Sequence, residues 1–122
     1  MWEVVGIRKV EIFVQKEGDC YVSRFPDYVT LEQLRNWGVK IKKELEKGGR
    51  YNLLIDTNAH NFESVECLKW LGEFLMLDSI VSQNIDSVAF VQPEVYRSPE
   101  VVSDREAYFT DNISAKKWLN LI

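Results

Sequence analysis

Short apolar runs alternate with helical segments along most of the chain, and this alternation limits the possible folds more than any other feature. In "KVEIFVQ" at 9–15 an apolar residue recurs at every second position, which is typical of a half-buried strand. The runs "YNLLID" at 51–56 and "SVAFV" at 87–91 are short and apolar, as buried strands are. Helical segments separate them, which indicates parallel strands joined by crossover connections.

The first part of the chain predicts an antiparallel hairpin. A turn signal, "KEGD", surrounds Gly18, and the strand-like run "CYVSRF" follows it at 20–25. Residues 9–25 are therefore expected to form two paired strands. The stretch "WEVVGI" at 2–7 is a weaker strand prediction, continuous with the first strand and bent at Gly6.

Three helices are predicted from capping residues and helical periodicity. Thr30 and Gln33 form a T-x-x-Q capping box, and Gly48-Gly49 ends the helix that follows. A second helix is expected from about Glu63 to about Ser79. Asp111 is expected to cap a terminal helix, whose predicted apolar face consists of Ala115, Trp118, Leu119 and Ile122.

The remaining segments complete the predicted order. "PEVYRSPEVVSDRE" at 93–106 contains two prolines and little periodicity, so it is interpreted mostly as loop, and "AYFT" at 107–110 as a last short strand. The order is ββαβαβ, a loop, then βα. It predicts an α/β fold in which helices cover a mixed sheet, with the strands at 51–56 and 87–91 central and parallel.

The size and charge of the chain restrict its class. The 122 residues predict a single domain over 1–122, and the formal net charge of −4 argues against a general nucleic-acid binder. No stretch approaches the roughly 20 apolar residues of a membrane span. Charged residues interrupt the N-terminus, so no signal peptide is expected and the protein is predicted to be cytoplasmic. Cys20 and Cys67 share no motif, and neither a metal nor a cofactor is predicted.

Three stretches resemble a known family. "YFTDNISAKKWLNLI" at 108–122, with "VTLEQL" at 29–34 and "NLLID" at 52–56, is similar to the stand-alone bacterial STAS-like proteins, most of which have no known function. The STAS domain also occurs in anti-sigma factor antagonists and in the cytoplasmic tails of sulfate transporters. The resemblance implies a sheet with an antiparallel N-terminal hairpin and helices packed on it. It further implies a non-enzymatic, regulatory protein that acts by protein–protein contact with a partner of unknown identity.

The resemblance also directs attention to Ser64. Regulatory STAS proteins carry an Asp-Ser-Ser-Gly stretch at a helix N-terminus, and phosphorylation of one serine switches partner binding. The matching region here, "NFESVECLKW" at 61–70, has one serine and no glycine, and Glu63 and Glu66 would repel a phosphate. Ser64 is therefore a candidate phosphoacceptor, but a residue that helps to cap the helix is the favoured interpretation.

The loop after the central strand contains the other candidate site residues. Asp56 ends the strand, where a carboxylate can accept hydrogen bonds from loop N–H groups, and His60 is the only histidine of the chain. A hydrolase could combine Asp56, His60 and Ser64, but the sequence contains no complete catalytic motif. We therefore expect no enzymatic activity, and structural or solvated roles for Asp56 and His60.

The second predicted helix is more apolar than one sheet-facing stripe requires. Its surplus stripe leaves three interpretations open: packing under a neighbouring helix or the 92–106 loop, a homodimer contact, and a pocket for a small apolar ligand. We predict a contact surface in a homodimer, with a carrier or sensor of a small apolar ligand as the alternative function. The residues of this predicted surface are Cys67, Trp70, Phe74, Leu77 and Val81.

Overall fold

A computed structural model describes residues 11–57, 61–95 and 97–122. Within these ranges the chain is a mixed α/β protein with a six-stranded mixed sheet and four helices. The strands are β1 (Phe13–Glu17), β2 (Cys20–Arg24), β3 (Tyr28–Val29), β4 (Tyr51–Asp56), β5 (Asn61–Phe62), β6 (Ile85–Val91), β7 (Glu100–Val101) and β8 (Glu106–Phe109). The helices are α1 (Leu31–Leu45), α2 (Val65–Leu77), α3 (Ser79–Asn84) and α4 (Asn112–Trp118).

The main sheet has the strand order β1-β2-β4-β6-β8-β7. β1 is antiparallel to β2 and β7 is antiparallel to β8, while β2, β4, β6 and β8 run parallel. β3 and β5 form a separate parallel pair. The prediction of a mixed sheet with β4 and β6 central and parallel is confirmed.

The N-terminal hairpin forms as predicted within the described residues. β1 and β2 pair from Phe13 opposite Arg24 to Glu17 opposite Cys20. Gly18 lies in the turn with a φ of 61°, a left-handed conformation that glycine adopts without steric cost. The weaker strand prediction at 2–7 lies outside the described residues.

α1 begins with the predicted capping box. The Thr30 side chain accepts a hydrogen bond from the N–H of Gln33, and the Gln33 side chain accepts one from the N–H of Thr30. The buried side of α1 includes Trp37, whose indole N–H donates to the hydroxyl of Ser23 on β2 at 2.8 Å. This bond satisfies two polar groups within the core and fixes α1 against the sheet.

The second predicted helix, from about Glu63 to about Ser79, is confirmed as α2, but the short helix α3 that follows it is not predicted. The chain leaves helical geometry at Asp78, with φ −69° and ψ 124°, and the Asp78 carboxylate caps α3 by accepting from the N–H groups of Ile80 and Val81. Burial of this carboxyl works to raise its pKa, but the hydrogen bond from Lys42 at 2.9 Å and the bonds from α3 hold the pKa below its usual value. Asp78 competes with helix continuation because its short side chain offers the backbone an alternative hydrogen bond.

The segment after β6 is mostly loop, as predicted, but it contains the short edge strand β7, which its sequence does not indicate. β7 pairs Glu100 with Tyr108 and Val101 with Ala107. Two residues give too little periodicity to be read as a strand. β7 therefore depends on its pairing with β8.

The sheet separates two apolar cores. α1, α2 and α3 cover one face, where the core includes Trp37, Ile41, Leu53 and Ile55. On the other face α4 packs over Leu54, Ala89 and Val91 of the central strands. The described elements therefore cover the two faces unequally.

The predicted apolar side of the terminal helix is confirmed only in part. Asp111 caps α4 by accepting from the N–H of Ser114, and Ala115 and Leu119 are buried. Trp118 is half-buried, with its ring centroid 5.9 Å from that of Phe109. Ile122 is exposed, because the helix ends at Trp118 and the last residues no longer follow its apolar side.

Candidate functional site

Asp56 lies at the carboxyl end of β4 and is only 4% exposed. One oxygen of its carboxylate, Oδ2, accepts a hydrogen bond from the side-chain amide of Asn112, the first residue of α4, at 3.0 Å. The next residue, Thr57, donates from its N–H and its hydroxyl to the carbonyl oxygen of Val91, at 2.8 and 3.1 Å. This end of the strand therefore connects β4 to β6 and α4, which is a structural role.

Ser64 occupies the N-cap position of α2, as its sequence context predicts. Its backbone is extended, with φ −161° and ψ 169°, but its side chain makes no capping hydrogen bond. The hydroxyl oxygen lies 4.0 Å from the Cys67 sulfur, and the residue is exposed. Ser64 therefore occupies the predicted cap position, but its hydroxyl is not the capping group and contacts the Cys67 sulfur instead.

The residue before Ser64 has a different partner. Glu63 Oε2 accepts a hydrogen bond from the N–H of Leu31, the first residue of α1, at 3.0 Å. A carboxylate at this point also interacts favourably with the α1 dipole. Glu63 therefore connects the starts of the two long helices.

The third member of the predicted loop site, His60, lies outside the described residues. Asp56 and Ser64 are thus the two members of that site that the structure describes. Across 11–57, 61–95 and 97–122, no group of three or more His, Cys, Asp or Glu side chains could hold a metal ion.

The predicted contact surface on the second helix is not a single exposed surface. Cys67, Phe74 and Val81 are buried, Trp70 is half-buried, and Leu77 is 74% exposed. The assignment of the three buried residues to an exposed surface is therefore wrong, and the interpretation in which this stripe packs under a neighbouring helix describes them correctly.

The cause of this burial is the close approach of α1 to α2. The Phe74 ring lies 5.4 Å from the Trp37 ring, and Trp70 stacks on Phe74 with 4.9 Å between ring centroids. Gly38 on α1 provides the space, since a Cβ atom there would lie 2.7 Å from Cη2 of Trp70. The contacts between α1 and α2, which are far apart in the sequence, determine which stripe of α2 is covered. The periodicity of α2 alone does not reveal these contacts.

A different side of α2 is exposed and apolar. Val65 is 79% exposed, Leu68 53% and Met76 77%, and Gly72 lies between Leu68 and Met76. We call these four residues the outer stripe. Their spacing of three, four and four residues is a helical signal, but apolar residues on nearly every side of α2 conceal it in the sequence.

Beside the outer stripe a groove of about 420 Å³ runs between the α2–α3 helices and the strands β6 and β8. We call it the β6–β8 groove. Its volume lies in the range of small-molecule sites. Gly72 and Met76 belong to both the groove and the outer stripe. Among the other residues that line the groove are Leu75, Val88, Phe90, Arg105, Glu106 and Tyr108.

Stacked side chains form one wall of the groove. The rings of Phe90 and Tyr108 are nearly parallel, with 5.0 Å between centroids, and the Arg97 guanidinium lies 3.7 Å from the Tyr108 centroid. Burial and the hydrogen bond that the phenol donates to Glu106 raise the pKa of Tyr108 to about 12. Tyr108 is therefore protonated at neutral pH and does not serve as a base there.

Neither cysteine is an accessible nucleophile. Both are free and buried. Burial, assisted by the nearby Asp19 and Glu17 carboxylates, raises the pKa of the Cys20 thiol to about 12. A thiol in this state is inert because the thiolate is the reactive form.

No protein-family model, curated protein or solved structure matches this chain. No helix in the described ranges has the length and apolar character to cross a membrane. The assignment of function therefore depends on the geometry of the described residues and on the sequence resemblance.

Proposed function

We propose that this chain is a non-enzymatic, STAS-like regulatory protein of the cytoplasm that acts through protein–protein contact. The strand order β1-β2-β4-β6-β8, with an antiparallel hairpin at one edge, supports the STAS-like arrangement. The "AKKWLNLI" ending and the start of α2 after Glu63–Ser64 support it as well. A non-enzymatic role is supported by the structural use of the buried Asp56 carboxylate, which accepts a hydrogen bond from Asn112.

The observation that carries this proposal is the exposed outer stripe of α2. Three large apolar side chains, Val65, Leu68 and Met76, are each more than half exposed along one helix. Single exposed apolar residues are ordinary, but a contiguous apolar patch on a monomer usually marks an interaction site. We assign the partner contact to this stripe.

Ser64 is the candidate phosphoacceptor within this proposal. Its exposed hydroxyl makes no cap bond and directly precedes Val65, the first residue of the outer stripe. A phosphate there would add charge beside an apolar contact, which weakens the contact through desolvation. Glu63 keeps its negative charge while it accepts the hydrogen bond from the N–H of Leu31, so it would still oppose a phosphate on Ser64.

The experiment places a photo-crosslinking amino acid at position 68, with position 117 on α4 as the matched exposed control. The full chain is expressed in its native host and irradiated, and the adducts are identified by mass spectrometry. We expect a protein adduct at position 68 that the control position does not give. Equal, background-level adducts at both positions would refute a protein contact through α2.

A second candidate function, the binding of a small apolar ligand, is favoured by the β6–β8 groove. The volume and the apolar wall suit a ligand that inserts beside Phe90 and Tyr108. Native mass spectrometry of freshly purified protein should then show an added mass that a groove-filling Val88→Trp variant loses. Unmodified mass for the wild type, together with unchanged Phe90 and Tyr108 NMR signals on addition of fatty acid or indole probes, would exclude this candidate.

A further inference from the structure

We propose that the outer stripe of α2 pairs with the same stripe of a second copy of this chain, the two helices running antiparallel. The proposal rests on the proposed function, since it names the partner of that same surface. The proposed dimer contact is not the surface predicted from the sequence, because most of that surface packs within the domain. It is a stripe on a different side of the same helix.

The shape of the outer stripe is symmetric about its centre. Leu68 and Met76 lie four residues before and four residues after Gly72. A two-fold axis that crosses α2 at Gly72 therefore places Leu68 of one copy against Met76 of the other, and does so twice. An isologous contact needs only such a self-complementary patch.

Gly72 at the centre permits a close approach of the two helices. A Cβ atom at this position would meet nothing within 4 Å, so the space above the backbone is open. Glycine in a helix interior costs about 1 kcal/mol relative to alanine, and no packing within the described domain compensates for this cost. Close packing of a second helix backbone at Gly72 would offset this cost.

The charges beside the stripe select the antiparallel orientation. Lys69 and Glu73 are exposed, lie on the same flank of the stripe, and make no hydrogen bond or ion pair with any residue in the described ranges. With a rise of 1.5 Å per residue, the two-fold axis brings Lys69 of one copy to within about 3 Å of Glu73 of the other along the helix axis. Two Lys69–Glu73 cross pairs of opposite charge result, with the two Glu73 carboxylates also about 3 Å apart along the axis, between the two lysines. In a parallel pair the Lys69–Glu73 flank would face the opposite flank of the partner instead.

The expected dimer is weak and depends on concentration. One helix stripe buries less surface than the roughly 1,200 Å² at which standard stable interfaces begin. The pairing would also cover the mouth of the β6–β8 groove, because Gly72 and Met76 belong to both surfaces. A reversible contact of this size suits a regulatory protein.

The test uses charge reversal and sedimentation velocity on the full chain over a wide concentration range. The variants are Lys69→Glu, Glu73→Lys and the double exchange, with Arg35→Glu on the exposed side of α1 as control. We expect the wild type to dimerise, and each single reversal to weaken association at least tenfold because both cross pairs become repulsive. The double exchange should restore association, and the control should match the wild type. Circular dichroism checks that every variant is folded.

A wild type that stays monomeric at millimolar concentration would overturn the proposal, and so would a double exchange that associates no better than the single variants. The crosslinking experiment separates this failure from failure of the proposed function. A position-68 adduct with a different protein, and none with a second copy, would overturn self-pairing while protein contact through α2 stands. An adduct between two copies supports both.

Discussion

The contact between Gly38 on α1 and Trp70 on α2 allows a sharp test of the packing. A methyl group at position 38 would lie 2.7 Å from Cη2 and 3.1 Å from Cζ2 of Trp70, and 3.2 Å from Cε1 of Phe74. The favourable separation for two carbon atoms is about 3.5–4.0 Å. In Gly38→Ala the indole would therefore have to move by about 0.8 Å or more, away from its stack on Phe74.

Two opposing effects set the expected magnitude. Alanine is favoured over glycine in a helix interior by about 1 kcal/mol. Overpacking of a well-packed core costs about 1–3 kcal/mol. We expect Gly38→Ala to lower the free energy of unfolding by up to about 2 kcal/mol, because the clash offsets or outweighs the gain in helix propensity.

Gly72→Ala is the matched control, because it makes the same substitution in a helix where no atom lies within 4 Å of the new methyl group. It should raise the free energy of unfolding by about 0.5–1 kcal/mol. Urea denaturation followed by circular dichroism, at a protein concentration too low for self-association, measures both values. In a Trp70→Leu background the indole is gone, and Gly38→Ala should become neutral or slightly stabilising. If Gly38→Ala stabilised the wild type as much as Gly72→Ala does, the close approach of α1 and α2 would be refuted.

Three further outcomes are expected. Ser64→Ala should change the free energy of unfolding by less than about 0.5 kcal/mol, and Thr30→Ala should cost about 1 kcal/mol, because Thr30 makes a side-chain cap bond and Ser64 does not; equal costs in urea denaturation would contradict this. Trp118→Ala should cost about 2–3 kcal/mol, less than a fully buried aromatic, and a loss under about 1 kcal/mol would mean that the side chain is not packed. Since the pKa of Tyr108 is raised to about 12 in the fold, its contribution to stability should be lost as the pH rises from about 10 to about 12. Ultraviolet titration should show that Glu106→Gln lowers this pKa, and an unchanged titration curve would contradict the assigned cause.

The elements that local sequence determines could be predicted. The capping box at Thr30 and Gln33, the Gly18 turn and the Asp111 cap each depend on residues a few positions apart. The apolar runs of β4 and β6 identify central strands because both of their faces are buried. These signals suffice to predict the order of the elements and the presence of a mixed sheet.

The features that depend on distant contacts could not be predicted. The break at Asp78 is fixed partly by Lys42 on another helix, and the two-residue strand β7 exists only through its pairing with β8. The burial of Phe74 depends on Trp37, which is far away in the sequence. Periodicity reveals the surplus of apolar residues on α2. It does not reveal the contact with α1, so the side of α2 that it predicts to be exposed is the side that packs within the domain.

The unequal covering of the two sheet faces has a consequence for hydrogen exchange. Seven-residue α4 is too short to be stable alone, and it is held by the Asn112–Asp56 hydrogen bond, by Lys116 bonded to Glu17 at 3.1 Å, and by the buried Leu119. It should detach as a unit at a smaller free-energy cost than global unfolding. The α4 amides should then exchange with deuterium through this local opening, while those of the central strands exchange only when the whole domain unfolds. The helix within the stretch that most resembles the STAS-like proteins would thus be among the elements least protected from hydrogen exchange.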